Sequence, residues 1–250
     1  MEASVQNLLY RKPELYELIY PEPDESTPLF CLQLFKRYLP EPSSILDIGC
    51  GTGRDLNVLS RTCRDCWGVD YLPEMISYAQ STRPHLHLLV GDMRKIRLGR
   101  KFDVILCLGS ALMYAITEEE IDATLNTFAA HAHKESLLIL DMNNSAGYLP
   151  GGSFKESIDY AITTSGLSAT AVATFSFDRR KQLLIRKRIW NIPGEPVIED
   201  FCRYRMFFPA ELEHLLKRKG FRVVTMADNK ELRNTDLTGR TLYVAAIFDA

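Results

Sequence analysis

The sequence is short of the features that would assign it to several broad classes. Neither sign of charge dominates, since 30 Lys and Arg stand against 32 Asp and Glu for a formal net charge of -2. No overall positive field exists to hold DNA, RNA or an anionic membrane, so nucleic acid is not an expected partner. Long hydrophobic runs are missing too. The most apolar stretch, residues 104–116, contains Gly109 and Ser110 and falls short of the ~20 apolar residues that a membrane-crossing helix needs. Glu2 stands where a signal peptide wants basic charge, and no apolar block precedes Arg11; the expected compartment is the cytoplasm. The six cysteines (Cys31, Cys50, Cys63, Cys66, Cys107, Cys202) are scattered, which reads as free thiols rather than a disulfide framework. Cys63 and Cys66 form a CxxC, but no second ligand pair has zinc spacing, so no metal is expected. Repeats and low-complexity tracts are absent. What remains is ordinary globular composition, 46% hydrophobic and 25% charged over 250 residues, a length for one domain carrying an insertion.

Periodicity divides the chain into four parts. Residues 1–40 read as two cap helices: Leu8, Leu9, Leu15, Leu18 and Ile19 share one face, and Leu29, Leu32, Leu34 and Phe35 follow a Pro-rich break. Residues 44–143 alternate short apolar runs (SSILDIG, CWGVD, HLHLLVGD, FDVILCLG, SLLILDM) with helical stretches at 54–62, 74–82 and 118–133. Such alternation predicts a parallel sheet wrapped on both faces. Residues 153–208 lose that rhythm, with four strand-like runs and no helix between them, and read as an antiparallel β insertion. The parallel theme returns in 209–250 with a helix opened by Pro209 and closed by Gly220, then FRVVTM and TLYVAAIF.

The most informative residues are Ile45-Leu46-Asp47-Ile48-Gly49-Cys50-Gly51-Thr52-Gly53-Arg54. An apolar strand ends at an acid and meets three alternating glycines, which let backbone turn sharply and approach a ligand closely. Asp70 closes the next strand, where a carboxylate can accept ribose hydroxyls, and Asp92 in Gly91-Asp92-Met93-Arg94 closes the third. A nicotinamide-binding fingerprint would be GxGxxG; here the spacing is GxGxG with an acid two residues before the first glycine.

The run DIGCGTGR, with Asp70 and Gly91-Asp92, resembles class I S-adenosylmethionine-dependent methyltransferases. The stretches LYELIY, GDMRKIRLGRKFDVILCLGSALMY, FAAHAH and RMFFPAELEHLLKRKGFRV are similar to amino-sugar N,N-dimethyltransferases and related small-molecule enzymes. The resemblance implies a Rossmann-like seven-stranded α/β sheet of order 3-2-1-4-5-7-6, the last strand antiparallel, with the β insertion after strand 5 and N-terminal cap helices. It implies S-adenosylmethionine as cofactor, with Gly49, Gly51 and Gly53 against the methionine part, Asp70 on the ribose, and Asp92 with Met93 near the adenine. Tyr16, Asp47, Cys50, Arg54, Tyr71 and Leu108 complete the expected cofactor set. Tyr10 matches a tyrosine that reaches the active site in relatives, and Tyr114 stands where they carry a histidine base; both are the catalytic candidates.

Asp47 is expected to organise the glycine turn by hydrogen bonding. His131 and His133 fall at a helix end, where imidazole meets the dipole favourably. Arg186, Arg188 and Trp190 alternate on one strand and so share a face; they could line a pocket for an anionic or aromatic substrate. An insertion after strand 5 stands over the strands' carboxyl ends, where open α/β sheets bind ligands, and this gives a substrate set of Tyr10, Tyr114, Asn143, Arg188 and Trp190. The expected function is methylation of a small molecule, most readily at nitrogen and in secondary metabolism. O-methylation of a hydroxyl or carboxyl, a non-catalytic cofactor-binding protein and a homodimer remain open alternatives.

Overall fold

The computed structural model describes residues 5–20, 25–149, 155–164, 167–233 and 236–250. In chain order the elements are β1 (Val5–Gln6), α1 (Leu8–Arg11), α2 (Pro13–Ile19), α3 (Ser26–Tyr38), β2 (Ser44–Ile48), α4 (Arg54–Leu59), β3 (Asp65–Asp70), α5 (Pro73–Thr82), β4 (His87–Val90), β5 (Phe102–Cys107), α6 (Glu118–His131) and β6 (Ala132–Asn143). There follow β7 (Ser157–Thr164), β8 (Leu167–Asp178), β9 (Leu183–Asn191), β10 (Ile198–Arg205), α7 (Pro209–Arg218), β11 (Phe221–Ala227) and β12 (Thr241–Phe248).

Side chains of β2, β5 and β6 alternate between two apolar layers, which is why these segments read as unbroken hydrophobic runs. Ile45, Val104, Leu106, Leu137 and Ile139 meet Phe30 and Leu34 of α3, Leu56 of α4 and Ile76 of α5. On the other face Leu46, Ile105, Leu138 and Leu140 meet Leu125 and Phe128 of α6 and Leu212 and Leu216 of α7. The central sheet runs β11-β12-β6-β5-β2-β3-β4, parallel except for β12, which is antiparallel to both neighbours. Counted along the core strands, this is the order the resemblance implied. Thr117 and Glu120 cap α6 reciprocally, Glu120 N–H reaching Thr117 Oγ1 at 3.2 Å, so the helix begins at a fixed point after the β5 exit.

The insertion forms a second, antiparallel sheet, β1-β10-β9-β8-β7. Its edge strand β1 comes from the N-terminus, with Val5 opposite Cys202. Residues 1–40 are therefore not purely helical, and Lys12 interrupts the first helix before Pro13 starts another. Leu18 and Leu29, expected on buried faces, are exposed; Phe30 and Cys31 take the inner positions of α3 instead. The long helix stops at His131, and His133 already belongs to β6. His131 is held between Thr127 O, 2.8 Å from Nδ1, and Leu98 N–H, 2.9 Å from Nε2. Because Nε2 accepts, Nδ1 carries the proton and the ring is neutral. Burial pushes its pKa down, so the expected dipole interaction of an imidazolium does not operate there.

Candidate functional site

At the carboxyl end of β2 the chain turns through Gly49 and Gly51, with φ of +88° and +56°. A Cβ at Gly49 would lie 2.6 Å from that of Ala111, whereas one at Gly51 would meet no protein atom within 4 Å. The first glycine is thus required by packing, and the second leaves its backbone bare towards a cavity. Gly49 and Cys50 N–H groups bond to Val69 O of β3 at 2.7 and 3.1 Å. Asp70, at the end of β3, accepts Gly51 N–H at 2.8 Å through Oδ2 and Leu72 N–H at 2.9 Å through Oδ1. This carboxylate, not Asp47, holds the turn by hydrogen bonding. Asp47 is buried, and its Oδ1 has no hydrogen-bond partner among the described residues.

The cavity over this turn is lined by Tyr10, Tyr16, Asp47, Gly49, Cys50 and Gly51, and by Arg54, Asp70, Tyr71, Asp92, Met93, Leu108 and Tyr114. All of the expected cofactor residues but Gly53 meet in one place, with both catalytic candidates; Gly53 faces Leu86, Leu88 and Ala79 instead. Thr52 of the same glycine run lines it as well, with Asp55 and Met75, which no motif marked. Burial, reinforced by the charges of Asp55, Asp70 and Asp141, pushes the Asp47 pKa well up. Burial also raises Asp70 against the pull of its backbone N–H partners. A positively charged ligand would relieve this crowding of acids around the buried Asp47. Asp92 differs from expectation. Burial works against its ionisation, yet Arg94 bonds to both oxygens (Nε to Oδ1 2.8 Å, Nη2 to Oδ2 2.6 Å) and holds its pKa below the usual carboxylate range. Its carboxylate is committed to Arg94, which also pairs with Glu120.

The N-terminal segment closes one side of the cavity. Arg83, buried, donates to Thr52 O at 3.1 Å and pairs with Glu17 of α2 at 3.2 Å. Arg54 lies over the rings of Tyr16 and Tyr20, 5.8 and 5.6 Å from their centroids, and donates to Tyr20 O.

Tyr10 and Gly109 belong to two cavities at once. The second lies between the β5 exit, the segment after β6 and the insertion sheet, and is lined by Asn143, Tyr148, Tyr160, Phe175, Arg186 and Tyr204 among others. The Tyr114 hydroxyl is 3.1 Å from that of Tyr10 and 3.3 Å from that of Tyr204, so three phenols mark the junction. Burial, partly offset by the Tyr114 hydrogen bond and Arg186, pushes Tyr10 to about 12. Burial also lifts Tyr114 and Tyr204 well above the ordinary phenol value. All three are neutral hydroxyls at physiological pH.

The β5 exit is fixed from below. Asp141 accepts Gly109 N–H, its carbonyl accepts Ser110 N–H at 3.1 Å, and Ser110 Oγ accepts Asn143 N–H at 3.1 Å. Asn144 donates to Leu237 O and Gly239 O at 2.6 and 2.8 Å.

Arg188 and Trp190 line neither cavity, contrary to the substrate role expected of them. They share a face with Arg186, but α1 and α2 cover their part of it. Arg188 Nε reaches both oxygens of Asp200 at 3.2 and 3.1 Å, and Trp190 packs with Leu8, Leu9 and Leu15. Only Arg186 of that alternating trio faces the open cavity. Tyr204, on the neighbouring strand β10, lines the same cavity, and no motif marks it.

Residues 45–135 match the family model described as a methyltransferase domain. The dTDP-3-amino-3,6-dideoxy-alpha-D-glucopyranose N,N-dimethyltransferase of Streptomyces fradiae is 32% identical over 124 residues, 48% of this chain and 49% of that one. The dTDP-3-amino-3,4,6-trideoxy-alpha-D-glucopyranose N,N-dimethyltransferase of Streptomyces venezuelae is 34% identical over 108 residues, 43% and 46% of the two chains. The chain thus spans about half the length of these curated relatives. Among solved structures, the S-adenosylmethionine-bound amino pentose methyltransferase CalS10 from Micromonospora echinaspora superposes with a TM-score of 0.77 at 21% identity, over 93% of this chain and 96% of that one. The fold is that of the class I methyltransferases.

Proposed function

We propose that this chain is an S-adenosylmethionine-dependent methyltransferase that methylates an amine on a small molecule. The observation that carries the reading is the meeting of two cavities at Tyr10: one over a glycine turn ringed by Asp47, Asp55 and Asp70, the other polar and facing the insertion. The first fits S-adenosylmethionine by its donor set. Asp47, Asp55 and Asp70 suit a ligand with sulfonium and ammonium charges, the bare backbone at Gly51 allows close approach, and the Asp70 carboxylate would accept ribose hydroxyls. Met93 and the Asp92 backbone would flank the adenine, with the Asp92 side chain acting through Arg94. When bound, the cofactor supplies an already activated methyl group.

The chain's own work is alignment and exclusion of water. Tyr10 and Tyr16 on the N-terminal helices roof the cofactor cavity, and Arg54 and Arg83 tie that roof to the glycine turn. The hydroxyls of Tyr10, Tyr114 and Tyr204 remain protonated and orient the incoming nucleophile by hydrogen bonding. This favours nitrogen over a hydroxyl oxygen. An unprotonated amine attacks with its own lone pair, while an alcohol needs a base, and the described lining of the second cavity holds no carboxylate or imidazole. The amine released as a cation gives its proton to water through the open side. The relatives named as N,N-dimethyltransferases of amino sugars support nitrogen as acceptor and a place in secondary metabolism.

The test is transfer of label from methyl-labelled S-adenosylmethionine into a fractionated small-molecule extract. Label in a base-stable product that carries it on a basic nitrogen, retained as a cation at acid pH, supports the reading. Label in a base-stable product without a basic nitrogen, such as a methyl ether, label released by base as from an ester, or none transferred, overturns it.

A further inference from the structure

The second cavity has a distinct electrostatic sign. Its described lining includes Lys155, Arg186 and Arg240, and no aspartate or glutamate. Lys155 and Arg240 are exposed, and Arg186 is half-buried. The three fully buried arginines among the described residues are paired, whereas Arg203, half-buried like Arg186, also has a buried Nε without a partner there. Arg83 pairs with Glu17, Arg188 with Asp200 and Arg205 with Glu211. Arg186 has no ion pair among the described residues, and its buried Nε has no hydrogen-bond partner there. Its Nη2 reaches only the Cys202 sulfur, at 3.1 Å, a weak acceptor, and its guanidinium lies 5.5 Å from the Tyr204 ring centroid. A half-buried guanidinium whose Nε is shut away without a partner is poorly compensated, and its fork matches an oxyanion.

Its position relates that charge to the transfer point. Tyr204, under the guanidinium, contacts the ring of Tyr114 at 5.1 Å between centroids, and Tyr114 contacts Tyr10 at 6.1 Å. Two ring contacts thus separate Arg186 from the junction of the cavities. We propose that Arg186, with Lys155 and Arg240 at the mouth, binds an oxyanion of the methyl acceptor. The acceptor is then a compact amine bearing a carboxylate or phosphate a few bonds from its nitrogen. This rests on the methyltransferase reading and narrows its substrate class.

Wild-type protein saturated with S-adenosylhomocysteine is titrated calorimetrically with two matched pairs of probes: β-alanine against β-alaninamide, and O-phosphoethanolamine against ethanolamine. At least one anion should bind roughly tenfold or more tightly than its neutral partner, the factor for a charge-assisted hydrogen bond. Which anion does so distinguishes carboxylate from phosphate. Arg186→Met should abolish the preference and Arg186→Lys should keep part of it, with S-adenosylhomocysteine affinity within about twofold of wild type in both. The wild-type comparison stands even if a variant fails to fold. Equal binding of anion and neutral partner, no saturable binding of either anion, or an unchanged preference in folded Arg186→Met overturns the proposal. Failure of wild type to bind S-adenosylhomocysteine overturns the methyltransferase reading instead, and the same anion titration on the free protein then still reads the Arg186 site.

Discussion

Replacing Arg188 with methionine should damage stability rather than the substrate cavity. Arg188 and Asp200 side chains are only 4% and 1% exposed. The guanidinium bonds to both carboxylate oxygens and, through Nη2, to Asn7 Oδ1 at 2.6 Å. Asp200 also accepts Trp190 Nε1–H at 2.9 Å and Leu8 N–H at 3.1 Å. Removing one member of a buried ion pair costs about 3–5 kcal/mol, because the other charge is stranded. The two neutral N–H donors that remain around Asp200 place the expected loss near the lower end, about 3 kcal/mol. For a chain of this size about 2–4 °C is lost per kcal/mol, so the melting temperature should fall by about 6–12 °C. Asn7 caps α1 by accepting Leu9 N–H at 3.1 Å, so hydrogen exchange should accelerate most in α1 and α2. Thermal denaturation with exchange mass spectrometry reads both effects. A variant that melts within about 1 °C of wild type yet loses acceptor binding would refute the reasoning and return Arg188 to the pocket.

Asp70→Ala should weaken S-adenosylhomocysteine binding by about 1.5–3 kcal/mol, the range for hydrogen bonds to a charged group; calorimetry with unchanged affinity would remove Asp70 from the ribose. Gly49→Ala and Gly51→Ala should separate. The first forces a 2.6 Å contact with Ala111 and lowers the melting temperature, while the second, facing open space, costs less stability and more cofactor affinity. Similar melting and affinity losses in both would count against the turn as described. Burial, aided by the charge of Asp55, raises the Asp141 pKa to about 6. The folded state then binds the proton more tightly than the unfolded state, so this carboxyl costs stability progressively as pH rises from about 4 to 6. Asp141→Asn should therefore gain stability relative to wild type across that window; melting curves that stay parallel with pH would contradict it.

The cofactor side was legible because its signals are local. An apolar strand, an acid and alternating glycines lie within ten consecutive residues, and the core strands carry continuous hydrophobic runs that only a sheet covered on both faces explains. Even there, sequence named the residues better than their partners. Asp47 lies at the turn without bonding it, and the Asp92 carboxylate is taken by Arg94 two residues on. The substrate side was less legible because it depends on distant pairings. Alternation correctly put Arg186, Arg188 and Trp190 on one face. It could not tell which of them the N-terminal segment covers, since that depends on β1 pairing with β10 and on Leu8 meeting Asp200. A two-residue strand leaves no periodicity to read. Leu18 and Leu29 failed for a smaller reason, as apolar spacing marks a helix face without telling which of its flanking positions a neighbour covers; in α3 that is Phe30 and Cys31.

A crystal structure of the chain with S-adenosylhomocysteine tests the central claim most directly, namely that the glycine-turn cavity holds the cofactor and opens onto the acceptor cavity at Tyr10. The expected result places the ribose hydroxyls on Asp70, the adenine beside Met93 and the sulfur facing the Tyr10–Tyr114 junction. A ligand lying instead in the cavity of Arg186 and Tyr204, or bound with its sulfur turned away from the tyrosines, would contradict it.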